Sequence, residues 1–495
     1  MILTVLPILG NTSTFKSQLG TRKVPTAMLV WQVNSLFENK ELLPQFNSEA
    51  ASLISEGLLL EDPSKADSES GYRQKLEIFI EKVLSKLRKS HKTIDREDKL
   101  FKSWQRESFS KGLRSRKARA GEIPFSIYFF NHIHSKYSKD NKELKLLKYS
   151  PEKIAKLANK FVKKRKSQGS MTFNDHGHVG AYDDVKDKKY SHMSFLRGVE
   201  WGGRSHMNLM GVVDNWNNLP NGRQFAYEEI VQEAASSEAV RIANHPAGEG
   251  NYWPIDRWSD LEAIEVWNSV MEERPFKFVK FLPISNNRTA LKLWNDDLKL
   301  GNKRTALGGT DFHFHIPCAT ERAMFFPANI IAIPHNEPYN VKKEVKRGNV
   351  SIITRPTSPK LFLSASTGSE TSYKEFGMGG NISGQGIAKI KLVADYSSSR
   401  KRLKGLCYNA VGGFFKSLSL FKKETWELRF YNTKSEQPFL KVKLPKKSKT
   451  GEVVEFDYPI KAGEKDFVRA ELWVVNKKLK LIEHLALTNP VTFNY

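Results

Sequence analysis

The sequence predicts an α/β protein with a mixed, partly helical N-terminal region, a central strand-and-helix region and a small all-β sandwich after it. Three observations lead there. From Ile123 to about residue 354, short apolar runs alternate with helical segments. Beyond about residue 355 the apolar period becomes two. Within the α/β region, histidines and acids recur at the ends of the apolar runs, where such folds place their chemistry.

With 495 residues the chain is too long for one ordinary core, so two or three domains are expected. The first, residues 1–118, opens on the apolar stretch Met1 to Gly10, which has no basic segment before it. That stretch reads either as a buried strand, the preferred reading, or as the remnant of a signal peptide whose start lies upstream. The compartment stays open, with the cytoplasm favoured and export tied to such an upstream start. After the polar breaker Glu61 to Ser70, the spacing of Leu76, Phe79, Ile80, Val83, Leu84 and Leu87 predicts an amphipathic helix. The basic stretch Lys111 to Gly121 reads as a linker.

The second region, 119–354, begins with the strand Phe125 to Phe130. A helix follows over Pro151 to Lys164, with Ser150 as N-cap and proline at its first position. Met171 to Phe173, Val240 to Ala243 and Ala263 to Trp267 read as further strands. The third region, 355–495, alternates apolar and charged residues in Ala388 to Val393, Trp426 to Phe430, Val453 to Tyr458 and Phe467 to Val474. This is the pattern of half-buried antiparallel strands in a sandwich.

The net charge of +25 raises nucleic acid or an anionic membrane as partners. The excess is diffuse, thickening only around Arg73 to Arg119 and Arg400 to Lys449, and no nucleic-acid-binding signature accompanies it. A basic surface that attracts an anionic small substrate is the better reading, with nucleic acid a weaker alternative. Two cysteines, Cys318 and Cys407, exclude a disulfide framework and a cysteine-rich zinc site. No stretch reaches the ~18 apolar residues of a membrane helix. Oligomeric state is not legible.

The chemistry concentrates in the histidines, nine of whose twelve fall between His132 and His315, well over an even share. The pair His132-x-His134 on an extended strand points both rings to one face, because side chains two apart share a side. One divalent ion can then take both. Glu200 at a strand end can place one oxygen on each of two ions, and Asp311-x-His313 repeats the two-apart spacing.

The runs Asn131 to Ser138, Thr172 to His176, Gly198 to Glu200, His206 to Gly211, Asn244 to Pro246 and Gly308 to His313 together resemble the polymerase and histidinol phosphatase (PHP) superfamily of metallohydrolases. Leu293 to Asn295 followed by Gly301, and Leu487 to Val491, resemble its carbaryl-hydrolase-like (CehA/McbA) branch. The resemblance covers about residues 123 to 495. It implies a distorted, seven-stranded, TIM-like β/α barrel holding two to three divalent ions, zinc, manganese or iron. Carried over by position, His132, His134 and Asp311 would hold a first ion, bridged by Glu200 to a second at His206 and His245. His176, His313 and Asp140 would hold a third. Asp140 lies six positions after His134, where many members have an acid at five, and Gly177 stands where asparagine is usual.

The resemblance implies a metal-dependent hydrolase in which a hydroxide bridging two ions attacks the substrate. A phosphoesterase acting on a small anionic ester comes first, a carboxylester, carbamate or amide hydrolase second. A degenerate barrel serving as a binding or scaffold module is the reading from another class. Glu200, His245, His178 and Arg204 are the candidate catalytic residues. Arg204 and Arg197 flank Glu200 and could grip a phosphate in bidentate fashion, or serve only at the surface. His178, His192 and His315 lie near the set; His91, His335 and His484 lie outside it, and Cys318 reads as a packed side chain.

Overall fold

A computed structural model of the chain describes residues 113–495 except 120, 139–148, 203–204, 213–225, 248–252, 254, 270–286, 314–323, 334–338, 369–373, 398–423, 447, 449 and 477–480. The stretch Met1 to Gly10, the helix through Leu76 and Leu87, and His91, Asp140, Arg204, His315, Cys318 and His335 lie outside the described residues. The chain divides into two compact units, one of residues 1–105 with 254–258 and one of 106–253 with 259–495. All that follows concerns the second.

The fold is mixed α/β and mostly strand. Among the described residues it has β1 (Arg114–Lys117), β2 (Phe125–Ile133), α1 (Pro151–Lys164), β3 (Gln168–Phe173), β4 (Met193–Leu196), β5 (Gly198–Trp201), β6 (Met207–Met210), α2 (Tyr227–Ser236), β7 (Val240–Ala243) and β8 (Ala263–Asn268). Then come α3 (Asn287–Lys299), β9 (Thr305–Gly309), β10 (Ala328–Ile333), α4 (Val341–Lys346), β11 (Val350–Ile353), β12 (Lys360–Thr367), β13 (Lys374–Gly377) and β14 (Asn381–Ile382). The last strands are β15 (Gly386–Asp395), β16 (Glu424–Tyr431), β17 (Leu440–Leu444), β18 (Gly451–Ile460), β19 (Asp466–Asn476), β20 (Leu481–Thr488) and β21 (Val491–Phe493).

The helix α1 has the bounds its sequence signals require. Ser150 Oγ accepts the Lys153 N–H at 3.3 Å, Pro151 opens the first turn, and Ile154, Ala155, Ala158, Phe161 and Val162 form the buried stripe. It connects β2 to β3, which pair in parallel, as a crossover helix should.

Two five-stranded sheets and one of eleven strands result. Of the period-two segments, β15 and β18 lie in the sheet β1-β18-β15-β12-β13, while β16 and β19 lie in the larger sheet whose inner face packs on it; Phe430 meets Phe456 edge-on, centroids 4.8 Å apart. The larger sheet continues from β19 and β20 through β11 and β10 into β2, β3 and β4, so it runs across residue 354. The stretch expected to be a linker contains β1, antiparallel to β18. Its basic character suited a linker only while its partner was unknown: Arg116 bonds Glu122 and, across the ladder, Glu455.

No closed barrel forms among the described residues. The strands β5-β6-β7-β8-β9 make a separate open sheet that meets the larger one through two isolated bridges, Ile133 with Phe312 and His176 with Glu200. The physical reason is visible along the outer edge of β9. Asn489 accepts the Ala306 N–H at 2.7 Å and donates to Ala306 O at 2.9 Å; two residues on, Asn329 accepts from Gly308 N and donates to Gly308 O, both at 2.8 Å. Two side-chain amides thus satisfy the edge groups that a neighbouring strand would otherwise bond. Asn489 also donates to Val350 O at 2.8 Å. Asn489→Ala is therefore expected to lose about 2 kcal/mol of stability, since the truncation orphans buried backbone groups. Chemical denaturation measures it, and an unchanged midpoint would mean that another group serves this edge.

Candidate metal centre

The strand ends deliver the expected side chains to one place. Glu200, 1% exposed, lies at the middle of them. Its Oε1 is 3.3 Å from His132 Nε2, 3.0 Å from His206 Nδ1 and 3.8 Å from His245 Nε2, and its Oε2 is 3.3 Å from His134 Nε2 and 3.2 Å from His176 Nδ1. Asp311 Oδ1 lies 3.3 Å from His132 Nε2, 3.4 Å from His134 Nε2 and 2.7 Å from His313 Nε2.

Among the described residues, four overlapping groups of donor atoms could each hold a metal ion: His132, His134 and Glu200; His132, His245 and Asp311; His176, Glu200 and His206; and His134, His176 and His313. All eight described residues expected as ligands take part. The grouping differs in detail from the carried-over assignment, since His206 sits with His176, and His245 with His132 and Asp311. Asp140 and Arg204 lie outside the described residues.

The donors fit cations better than they fit one another. His132 Nε2, His134 Nε2, His245 Nδ1 and Glu200 Oε2 are buried with no partner in hydrogen-bonding geometry. Unpaired buried polar atoms are costly, and His132, His134 and Glu200, which carry three of these four, form one of the donor groups, as a ligand set would. Burial, aided by the His313 ring, pushes His134 down to about 3, and burial lowers His245 also. Both are thereby neutral, the form that binds metal. Burial would raise Glu200 and Asp311, but the imidazoles around them, His132 foremost, outweigh it and hold both well below the usual carboxylate range. Burial opposes a charge on His132, yet Asp311, Glu265 and Glu200 together raise it well above its ordinary value. A proton and a cation thus compete for this ring.

The backbone bends to make the cluster. His132, His245 and Asp311 have φ of 63°, 29° and 49°, in a region that non-glycine residues rarely occupy and that collects at functional sites. The expected reason for the convergence of His132 and His134, the pleat of a regular strand, is thereby corrected. The β2–β3 register shifts between Phe130 and Ile133, and this kink turns the rings in, centroids 5.2 Å apart. At the facing seam, Gly177 has φ of 58° and its N–H donates to Glu200 O at 3.0 Å. Glycine and asparagine are the residues that best tolerate that conformation, so glycine here keeps the backbone while omitting an amide.

A supporting layer surrounds the donors. Asn244 Nδ2 donates to Glu200 Oε1 at 2.7 Å, and His134 Nδ1 lies 3.0 Å from Ser138 Oγ. Asp175 is not in the donor groups; it accepts from the N–H and hydroxyl of Ser135, fixing the loop after His134. Glu265, which touches His132 Nδ1 at 2.9 Å, was not singled out from the sequence. Its signal was present: it is the one acid in Ala263–Asn268, a strand that is otherwise apolar up to its last residue.

His178 joins no donor group among the described residues. Its ring stacks on Tyr137, centroids 4.9 Å apart, and its Nδ1 accepts the Gly180 N–H at 3.0 Å. Arg197 is 7% exposed, so it is buried rather than at the surface, and it donates to Asp183 at 2.9 Å beside Tyr182. His192 Nδ1 lies 3.1 Å from Ser167 O. His484 is buried between Trp473 and Trp267, centroids at 4.5 and 4.8 Å. No described helix is long and apolar enough to cross a membrane.

No family model, curated protein or solved structure matches this chain.

Proposed function

We propose that this chain is a metal-dependent hydrolase, with phosphoesters as the first substrate class, built on a distorted β/α barrel of the PHP type. The observation that carries the reading is the surroundings of Glu200: one buried carboxylate within 3.8 Å of nitrogens from five histidines, with Asp311 facing two of the same rings. Such a set suits more than one ion, because a single carboxylate can give an oxygen to each of two. The barrel reading is supported by the two bridges that join the open sheets on either side of the cluster.

These residues would hold divalent ions, which would supply Lewis acidity and a water of lowered pKa. The residues do the rest. His132, His245 and Asp311 would hold one ion, His176, Glu200 and His206 another, and His134, His176 and His313 a third. His178, whose Nδ1 accepts a backbone N–H, carries its proton on Nε2 when neutral and can donate it to a leaving alkoxide. His245 is the alternative donor, and Arg204 the residue to orient a phosphate.

Metal analysis of the purified protein, followed by a side-by-side panel of chromogenic phosphate monoesters, phosphodiesters, carboxyl esters and carbamates, tests this. Two to three ions per chain and turnover of a phosphoester, lost on chelation and restored by zinc or manganese, are expected. Turnover of carboxyl substrates alone would move the substrate class to the carbaryl-hydrolase type. Less than one ion per chain would sink the enzyme reading in favour of a binding module.

A further inference from the structure

Glu265 is 1% exposed on a strand whose six residues are all buried. A carboxylate in such a place is tolerated only when its oxygens are fully used. Its Oε1 lies 2.9 Å from His132 Nδ1, and its Oε2 accepts the backbone N–H of His245 at 2.7 Å and Asn268 Nδ2 at 3.1 Å. Asn268 Nδ2 is also 3.3 Å from Asp311 Oδ2. Oε2 accepts from both of its neighbours, and with Oε1 accepting from the ring, the proton of the neutral His132 ring belongs on Nδ1. Its Nε2 lone pair is then left pointing between Glu200 and Asp311, 3.3 Å from each.

Gly309 is a second, independent sign that the space is reserved. A Cβ built there would lie 1.4 Å from Glu265 Oε1 and 3.0 Å from His132 Cβ. No left-handed φ calls for a glycine at this position, so the room it leaves for Glu265 is its use.

We propose that Glu265 is the positioning residue of the His132, His245 and Asp311 group. It sets the tautomer and aim of His132, anchors the backbone of His245 and, through Asn268, steadies Asp311, without being a ligand itself. The proposal rests on the cluster being a divalent-metal centre. Outer carboxylates of this kind raise ligand basicity as well as fixing the ring, so their loss weakens the ion they support more than the ions beyond.

The test is titration of chelator-stripped full-length protein with Zn2+, comparing wild type with Glu265→Gln and Glu265→Asp. Circular dichroism and thermal unfolding without metal report the fold. Glu265→Gln is expected to weaken one class of ion by roughly 10- to 100-fold while the others bind as in wild type. Glu265→Asp, which keeps the charge but withdraws it by one methylene, should fall between and carries the test if the glutamine variant does not fold. Wild-type affinity for every ion in both variants, or an equal weakening of all ions, would overturn the proposal. Absence of Zn2+ binding by the wild type is a different failure, that of the metal-centre reading itself.

Discussion

Glu200→Ala is expected to strip the centre of its ions and to lower hydrolysis by at least about a thousandfold, on the order of 4 kcal/mol of transition-state stabilisation. No other side chain in the cluster touches so many donors, and none of its neighbours can take its place. The other carboxylate in the described donor groups, Asp311, already faces His132, His134 and His313. The fold should survive, because β5 is held by its backbone ladder to β6 from Gly198 to Trp201, which the side chain does not enter. Glu200→Gln separates charge from shape: it keeps the volume, removes the charge and should lose the ions as well. Parallel measurement of metal content, turnover and metal-free unfolding decides the matter, and wild-type-like turnover in either variant would remove Glu200 from the mechanism.

Gly309→Ala, one methyl group, is expected to cost about 3 kcal/mol or more in stability. Overpacking of a dense core costs about 1–3 kcal/mol. Here the added carbon lands on Glu265 Oε1, so the carboxylate must also leave His132, forfeiting a charge-assisted bond worth about 1.5–3 kcal/mol. Chemical denaturation of the metal-free protein gives the number. A loss under about 0.5 kcal/mol, the size of an ordinary surface change, would show that Glu265 has another place to go.

The sequence makes the elements legible wherever local chemistry decides them. Ser150 and Pro151 fix the start of α1, and the alternation in Val453 to Tyr458 marks β18. The donors too were legible as a set, since His132, His134, His176, Glu200, His206, His245, Asp311 and His313 each lie at one end of a short apolar run. What stayed hidden depends on residues far apart in the chain. The kink at His132 is a matter of φ, which histidine itself does not announce. β1 passed for a linker because its acidic partner, Glu455, is 339 residues away. The open seam at β9 depends on Asn329 and Asn489, ordinary polar residues until their amides meet a strand edge. Glu265 was overlooked because one acid in an apolar run does not by itself identify its partner.

The Asn489 amide has a consequence in time as well as in space. The strand that leads to Asp311 is held at Ala306 by a residue 183 positions later in the chain. Contacts of such long separation form only after the intervening chain has been ordered, since the closure entropy must be met first. During synthesis, then, the candidate donors from His132 to His313 all leave the ribosome well before the residue that holds β9 in its final place. The centre is thus among the last parts of the molecule to be completed, and early loading with metal would meet only a partial set of donors.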